Sequence, residues 1–322
     1  MSAKATEIKS DITATKKKLS LPQRIKKALI KDWHLYLLCL PAMIFVIIFE
    51  YGPMYGLQIA FKDYSAAAGI WGSKWVGFKH FIRFFNAPQF WDMLKNTLSI
   101  SVYSLLAGFP IPIFIGLLLN QTRNLKFKKL VQTVIYAPHF ISVVVLCGML
   151  TVFLSPSTGI INNVMSAMGM ERMHFLAEPA LFNDIFVWSD IWQNTGWSTI
   201  IYIGALSSIS PELYEAAKID GASKLKTILH IDIPSILPTI VVLFIMRTGK
   251  FMNLGFQKAF LLQNPLNSEA SEIIATYIYK VGIFGAQFSY STAVGLFNAV
   301  INVALIMSVN AMCKKLNDTS LW

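Results

Sequence analysis

Charge is what this chain most conspicuously lacks. Only 14% of its 322 residues are Asp, Glu, Lys or Arg, against about 25% in an ordinary soluble domain. Hydrophobic residues make up 55% and the mean hydropathy is +0.53. That imbalance argues against a large soluble core and for a polytopic membrane protein. Acidic residues are scarcer than basic ones, 17 against 28, for a net charge of +11. A basic excess can mark nucleic-acid binding. Here the cations sit mostly in loops between apolar runs, which is the pattern of membrane topology, so no nucleic-acid partner is expected. The three cysteines, Cys39, Cys147 and Cys313, lie in or at the ends of apolar runs without metal-type spacing, which argues against a disulfide framework. No signal peptide is evident: the first apolar run has no small-residue cleavage site after it and reads as a retained span. No nucleotide-binding loop is evident either. The single Gly-Lys pair, Gly249-Lys250, lacks the preceding Gly and the following Ser or Thr. His34, His80, His139, His174 and His230 form no metal spacing, and no Ser/His/Asp arrangement can be drawn. The expectation is a chain with no catalytic residue, no metal and no cofactor of its own.

What is present is a series of apolar runs, each long enough for a hydrocarbon core that needs about 20 residues. They predict an all-α membrane protein of six transmembrane helices, near 35–53, 97–119, 131–154, 184–207, 235–253 and 290–312. A Lys-rich tail, 1–34, precedes the first span. The stretch from the first span to 95 adds an external segment rich in Phe and Trp, whose simple reading is interfacial aromatics. Residues 96–312 form the remaining transmembrane body, and 313–322 the C-terminus. The tail, the 120–130 loop, the 210–233 loop and the C-terminus carry nine, four, three and two basic residues, 18 of the 28. The positive-inside rule then puts both termini in the cytoplasm.

The most informative stretch is Ser210 to Pro238, the longest polar interruption in the C-terminal half. Ser210 suits a helix N-cap, Pro211 the first helical position and Glu212 the first turn. Leu213, Ala216 and Ala217 share one face, and the alanines admit another backbone closely. Asp220-Gly221 signals a tight turn. A second short helix follows with Leu225, Ile228 and Leu229 on one side. Pro234 and Pro238 mark the return into the membrane. The pattern is Glu215-Ala216-Ala217, three residues, Gly221, nine residues, Ile231-x-Ile233-Pro234.

That pattern resembles the coupling (EAA) loop of permease subunits of bacterial ATP-binding-cassette importers. FEYGPMYGLQIAFKDY, WVGFKHF, KNTLSIS, YAPHFIS, SDIWQNTGWSTIIY, LYEAAKIDGAS, GFQKAFLLQNP and the terminal SLW resemble the maltose-permease-like oligosaccharide and polysaccharide branch of that family. Two departures are small: Ile233 replaces the usual Leu, and Gln257 stands where an acid is usual. The resemblance implies a MetI-like ABC permease bundle with one extra N-terminal span, in a bacterial cytoplasmic membrane. It implies a homologous second permease, two copies of a cytoplasmic ATPase that bind the ATP and Mg, an extracytoplasmic solute-binding protein and an oligosaccharide substrate. Glu215, Ala216, Ala217, Asp220, Gly221, Ile231 and Pro234 would then dock the ATPase.

Polar groups within apolar runs are costly and so mark candidate substrate paths. Arg247 and Lys250 are three apart in the fifth run, roughly 20 and 24 Å along a helix from Pro234. Asn194 and Trp197, with Asn253 and Asn298, fall at similar depth, a layer of amide, indole and cation. Sugars suit it, since hydroxyls need polar partners and ring faces stack on aromatics. Two neighbouring cations point further, to an acidic, uronate-containing oligosaccharide. Lipid snorkelling of the cations and plain interhelical bonding of Asn298 and Asn302 stand as the simpler readings. A same-fold importer of peptides and an ATPase-independent secondary transporter stand as the rival functions. Replacing Gly221 with Val is expected to leave membrane insertion intact while separating ATP hydrolysis from uptake. Unchanged uptake by that variant would count against the docking role of the loop.

Overall fold

The computed structural model describes residues 30–317 and 320–321. Most of the basic tail, and Trp322 of the terminal SLW, lie outside the described residues. The chain divides into two compact units, up to Leu57 and from Gln58 onward. The described part of the first unit is helical. Helix α1, Trp33–Val46, continues through a π turn, Ile47–Tyr51, into a further helical run ending at Phe61. The 29 residues of Trp33–Phe61 are enough to cross a membrane.

The second unit is almost entirely helical. The all-α expectation needs one addition, a two-residue antiparallel ladder. Strand β1 (Lys62–Asp63) pairs with β2 (Lys74–Trp75), with Lys62 opposite Trp75. Helix α2 (Lys79–Phe85) follows, then α3 (Phe90–Gly108) and α4 (Pro110–Asn120). Next come α5 (Leu125–Tyr136), α6 (Val143–Phe153), α7 (Ile160–Ala167) and the 26-residue α8, Phe182–Ser207. The polar hairpin comprises α9 (Pro211–Ile219) and α10 (Lys224–Thr227), and leads into α11 (Ile233–Thr248). Short helices α12 (Phe256–Leu262), α13 (Ser268–Ser271) and α14 (Ile274–Tyr279) precede the 30-residue α15, Phe288–Asn317. Among the described residues, four helical runs are long and apolar enough to span a membrane: Trp33–Phe61, Phe90–Asn120, Lys224–Thr248 and Phe288–Lys315.

Two predicted spans are not simple helices. The third is broken: Leu125–Phe140 and Val143–Phe153 meet at 98°. Pro138 lacks an N–H, and Ile141 and Ser142 are extended, with the Ser142 hydroxyl accepting from Val145 N to start a new helix. The fifth ends at Thr248 rather than near 253, and residues 249–253 turn back on themselves. Lys250 therefore follows the helix instead of sharing a face with Arg247.

Helix α8 is the central post. Phe186, Val187 and Ile191 pack with Ile100 of α3, Cys147 of α6 and Ala259 and Leu262 of α12. Segment 254–289 is thus packed against this post through Ala259, Leu262 and Ile273. The external aromatics divide. Phe84 and Phe90 join Tyr290 and Val294 in a second cluster, while Trp71, Trp75, Phe78 and Trp91 stay exposed. Gly196 brings α8 against the end of α5: a Cβ there would lie 1.9 Å from the Ile135 carbonyl oxygen. Gly204, two turns on, has nothing within 4 Å of such an atom. Gly196→Ala should therefore destabilise the protein by about 1–3 kcal/mol, and Gly204→Ala should not. Thermal unfolding of the two variants in detergent checks this, and equal midpoints would contradict the close approach.

Candidate functional site

The breaks in the spans converge on one cavity of about 680 Å³. Its wall comes from α3 (Ser101, Ser104), the 139–143 break, α8 (Asp190, Gln193, Asn194) and the stretch 247–258. Backbone that leaves a helix at membrane depth must find partners inside the protein, and the wall supplies them. Gln193 Nε2 donates to the Ile141 carbonyl at 2.7 Å. Ser101 Oγ donates to the Phe251 carbonyl at 2.6 Å, and Asn302 Oδ1 accepts from Met252 N at 2.9 Å. Asn298 Nδ2 donates to Asn253 Oδ1 at 3.0 Å.

Arg247 serves the α3–α4 junction in the same way. Pro112 has no N–H to offer the Gly108 carbonyl four residues earlier. Arg247 Nη1 donates to that carbonyl at 3.1 Å, and Nη2 to the Ser104 carbonyl at 2.8 Å. A guanidinium has five N–H donors, so groups remain for the cavity that Arg247 also lines.

Of the substrate-path candidates, Asn194, Arg247, Lys250 and Asn253 line the cavity. Asn298 reaches it through Asn253. Trp197 stands behind the wall, stacked on His139 with centroids 4.6 Å apart and planes at 9°. Asn194 links two groups that sequence reasoning missed: its Nδ2 donates to Asp190 Oδ1 at 3.0 Å, and its Oδ1 lies 3.0 Å from His139 Nδ1. Asp190 is in turn 4.0 Å from Lys258 Nζ. Lys258, on α12 and only 4% exposed, donates to the Phe186 carbonyl at 2.7 Å and lies 4.8 Å from the Phe186 ring centroid. Burial pushes its ammonium down to about 8, with Asp190 opposing the shift. The cavity wall therefore presents three cations, Arg247, Lys250 and Lys258, and one carboxylate, Asp190. A sequence signal for Asp190 existed in SDIWQN, where Asp190 and Asn194 recur one turn apart inside an apolar run.

The hairpin candidates lie apart from this cavity. The Ser210 hydroxyl accepts from Glu212 N, and Gly221 has φ +70°. Ala222 N donates to the Ala217 carbonyl and Gly221 N to that of Lys218, the paired closure of a helix on a left-handed glycine. Glu215, Ala216 and Asp220 are exposed, as is Pro234; Ala217 and Ile231 are half-buried. Leu213 and Ile219 are also exposed, at 50% and 86%.

The Arg247 tie yields a direct test. Arg247→Met leaves the Gly108 carbonyl without its donor and should cost about 1–3 kcal/mol. Pro112→Ala restores a backbone N–H for that carbonyl, so the double variant should recover part of the loss. Unfolding in detergent measures the cycle, and strict additivity would contradict the proposed cause.

Comparison with known proteins agrees with this architecture. The family described as "Binding-protein-dependent transport system inner membrane component" matches residues 108–317. The chain is 44% identical over 300 residues to the polygalacturonan/rhamnogalacturonan transport system permease protein YteP of Bacillus subtilis (strain 168), covering 93% of this chain and 94% of that one. It is 43% identical to protein LplB of the same organism, covering 92% and 93%. A chain in the crystal structure of a bacterial alginate ABC transporter, in complex with alginate pentasaccharide-bound periplasmic protein, superposes with TM-score 0.85 at 42% identity, covering 92% of this chain and 100% of that one. The family match runs from the Gly108 junction to the end of the last helix, and these relatives extend the likeness to nine-tenths of the chain. The chain belongs to the binding-protein-dependent transport system inner membrane components: it is a permease subunit with the MetI-like fold, and ATP hydrolysis is the work of a separate partner.

Proposed function

We propose that this permease imports acidic oligosaccharides, uronate-containing fragments of the kind for which its relatives are named. The observation that carries the reading is the charge of the cavity: Arg247, Lys250 and Lys258 against Asp190 alone. Carboxylates on successive sugar units need cationic partners when they leave water. The names of a polygalacturonan/rhamnogalacturonan permease and an alginate transporter support the same substrate class. Asn194, Asn253 and Asn298 supply or position amides for sugar hydroxyls, and Trp197 fixes the His139 ring.

The remaining parts of the machine follow the family. Six spans, the first of them an addition at the N-terminus, cross the cytoplasmic membrane with both termini inside. A homologous permease completes the path, and an extracytoplasmic binding protein delivers the sugar. Two ATPase copies hold ATP and Mg and engage the hairpin through Glu215, Ala216, Ala217, Asp220 and Gly221, with Ile231 and Pro234 joining it to α11. The exposed Leu213 and Ile219 support such a docking face. Alternating access then opens the cavity to each side in turn.

Lys258 gives this reading a pH signature. Its ammonium is held down near 8, so its charge is present below that pH and lost as pH rises through it. The complex reconstituted in proteoliposomes with its binding protein should import alginate pentasaccharide about tenfold more slowly when Lys258 is neutral. Uptake is expected to fall between pH 7 and 9, and Lys258→Arg to abolish that fall. Lys258→Met transporting at the unaltered rate across this range would overturn the role of the cation.

A further inference from the structure

The cavity and the hairpin sit at opposite ends of α11, and a second polar cluster occupies the hairpin end. Asp232 closes the π turn Ile228–Asp232 that joins α10 to α11, and it is fully buried. Tyr214 Oη, on α9, donates to its Oδ1 at 2.6 Å. Gln121 Nε2, at the end of α4, donates to Oδ2 at 2.8 Å. Asn120 Nδ2 approaches Oδ1 at 3.4 Å and the Tyr214 oxygen at 3.3 Å. Every partner is a donor, the surroundings suited to an acceptor-only carboxylate. Burial and the bond to Asp232 raise the Tyr214 phenol to about 12, so it stays a donor throughout the physiological range. Beneath the cluster Leu117, Tyr202, Leu206 and Ile236 form an apolar layer.

We propose that Asp232 is the positioning residue that fastens the coupling helix α9 to the inner ends of α4 and α11. A buried carboxylate is a poor means of gaining stability, since apolar residues of similar volume often serve as well. Its hydrogen bonds are directional, however, and they fix one register. Asp232 and Arg247 both tie the α11 run to the α3–α4 run, the first at Gln121 and the second at Gly108 and Ser104. Fifteen residues separate Asp232 from Arg247 on the α11 run, and thirteen separate Gln121 from Gly108 on the other run, roughly 20 Å of helix in each case. The two helices run antiparallel and are fastened at both ends. A displacement of α9 is then passed to the cavity at Arg247 by a rigid pair, with no slack at the π turn.

The inference rests on the importer reading, in which α9 and α10 are the ATPase dock. It is tested on the assembled complex, purified through this chain and reconstituted with its binding protein and alginate pentasaccharide. ATP hydrolysed and sugar imported are measured together. Asp232→Asn keeps the shape and replaces one of the two acceptor oxygens with a donor, which faces the donors of Tyr214 and Gln121; ATP consumed per sugar should rise about tenfold, with the ATPase co-purifying as before. Adding Gln121→Glu exchanges acceptor and donor across the pair and should bring the ratio back. An unchanged ratio would overturn the proposal, and so would a parallel loss of hydrolysis and uptake, which a merely structural role produces. If Asp232→Asn does not assemble, Tyr214→Phe carries the test with the same two readings. Absence of ATP-dependent uptake by the unaltered complex would instead overturn the importer reading beneath it.

Discussion

A backbone N–H or carbonyl left without a partner in hydrocarbon costs several kcal/mol, and the architecture of this permease follows from that penalty. Its long helices satisfy their own backbones. At the interruptions around the cavity, a polar side chain from a neighbouring helix takes the vacant position. Arg247 does so for the carbonyl that Pro112 strands, Gln193 for Ile141, and Ser101 and Asn302 for the turn at 251–252. These interruptions are also where the wall can be polar, and they surround one cavity. The residues that make broken backbone tolerable are therefore largely residues of the cavity wall.

The same economy explains the mixed duties of single side chains. Arg247 braces the α3–α4 junction and lines the cavity. Asn194 joins Asp190 to His139, and so couples the α12 cation to the broken third span through α8. At the other end of α11, Asp232 gathers α4, α9 and α11 around one carboxylate. The helix that leaves the hairpin is thus anchored at the end where the ATPase would push and at the end where sugar would pass.

The hairpin was the most legible part of the chain. Ser210, Pro211, Gly221 and the exposed Leu213 each act through local chemistry, and the helix–glycine turn–helix form follows from them. Arg247 and Asn194 were legible as costly polar groups in apolar runs, but their partners were not. The donor that Gly108 needs comes from a residue 139 positions away, and no local pattern encodes it. Span three was read as one helix near 131–154; Pro138 and Ser142 break it within an otherwise continuous apolar run, and hydropathy does not register a bend of 98°. Lys258 was hidden for a different reason. It stands beyond the fifth apolar run, and its burial depends on α12 packing against α8. Asp232 is flanked by isoleucines in the hairpin pattern, where an acid reads as one more cytoplasmic charge.

The central claim is that the cavity built at the broken spans receives the acidic sugar. It is tested most directly by determining the structure of the assembled importer, trapped with alginate pentasaccharide in transit. The account predicts a sugar carboxylate within about 3.2 Å of the Lys250 or Lys258 ammonium, between α8 and the 250–258 stretch. A pentasaccharide bound along another path, with both lysines turned away from it, would contradict the account.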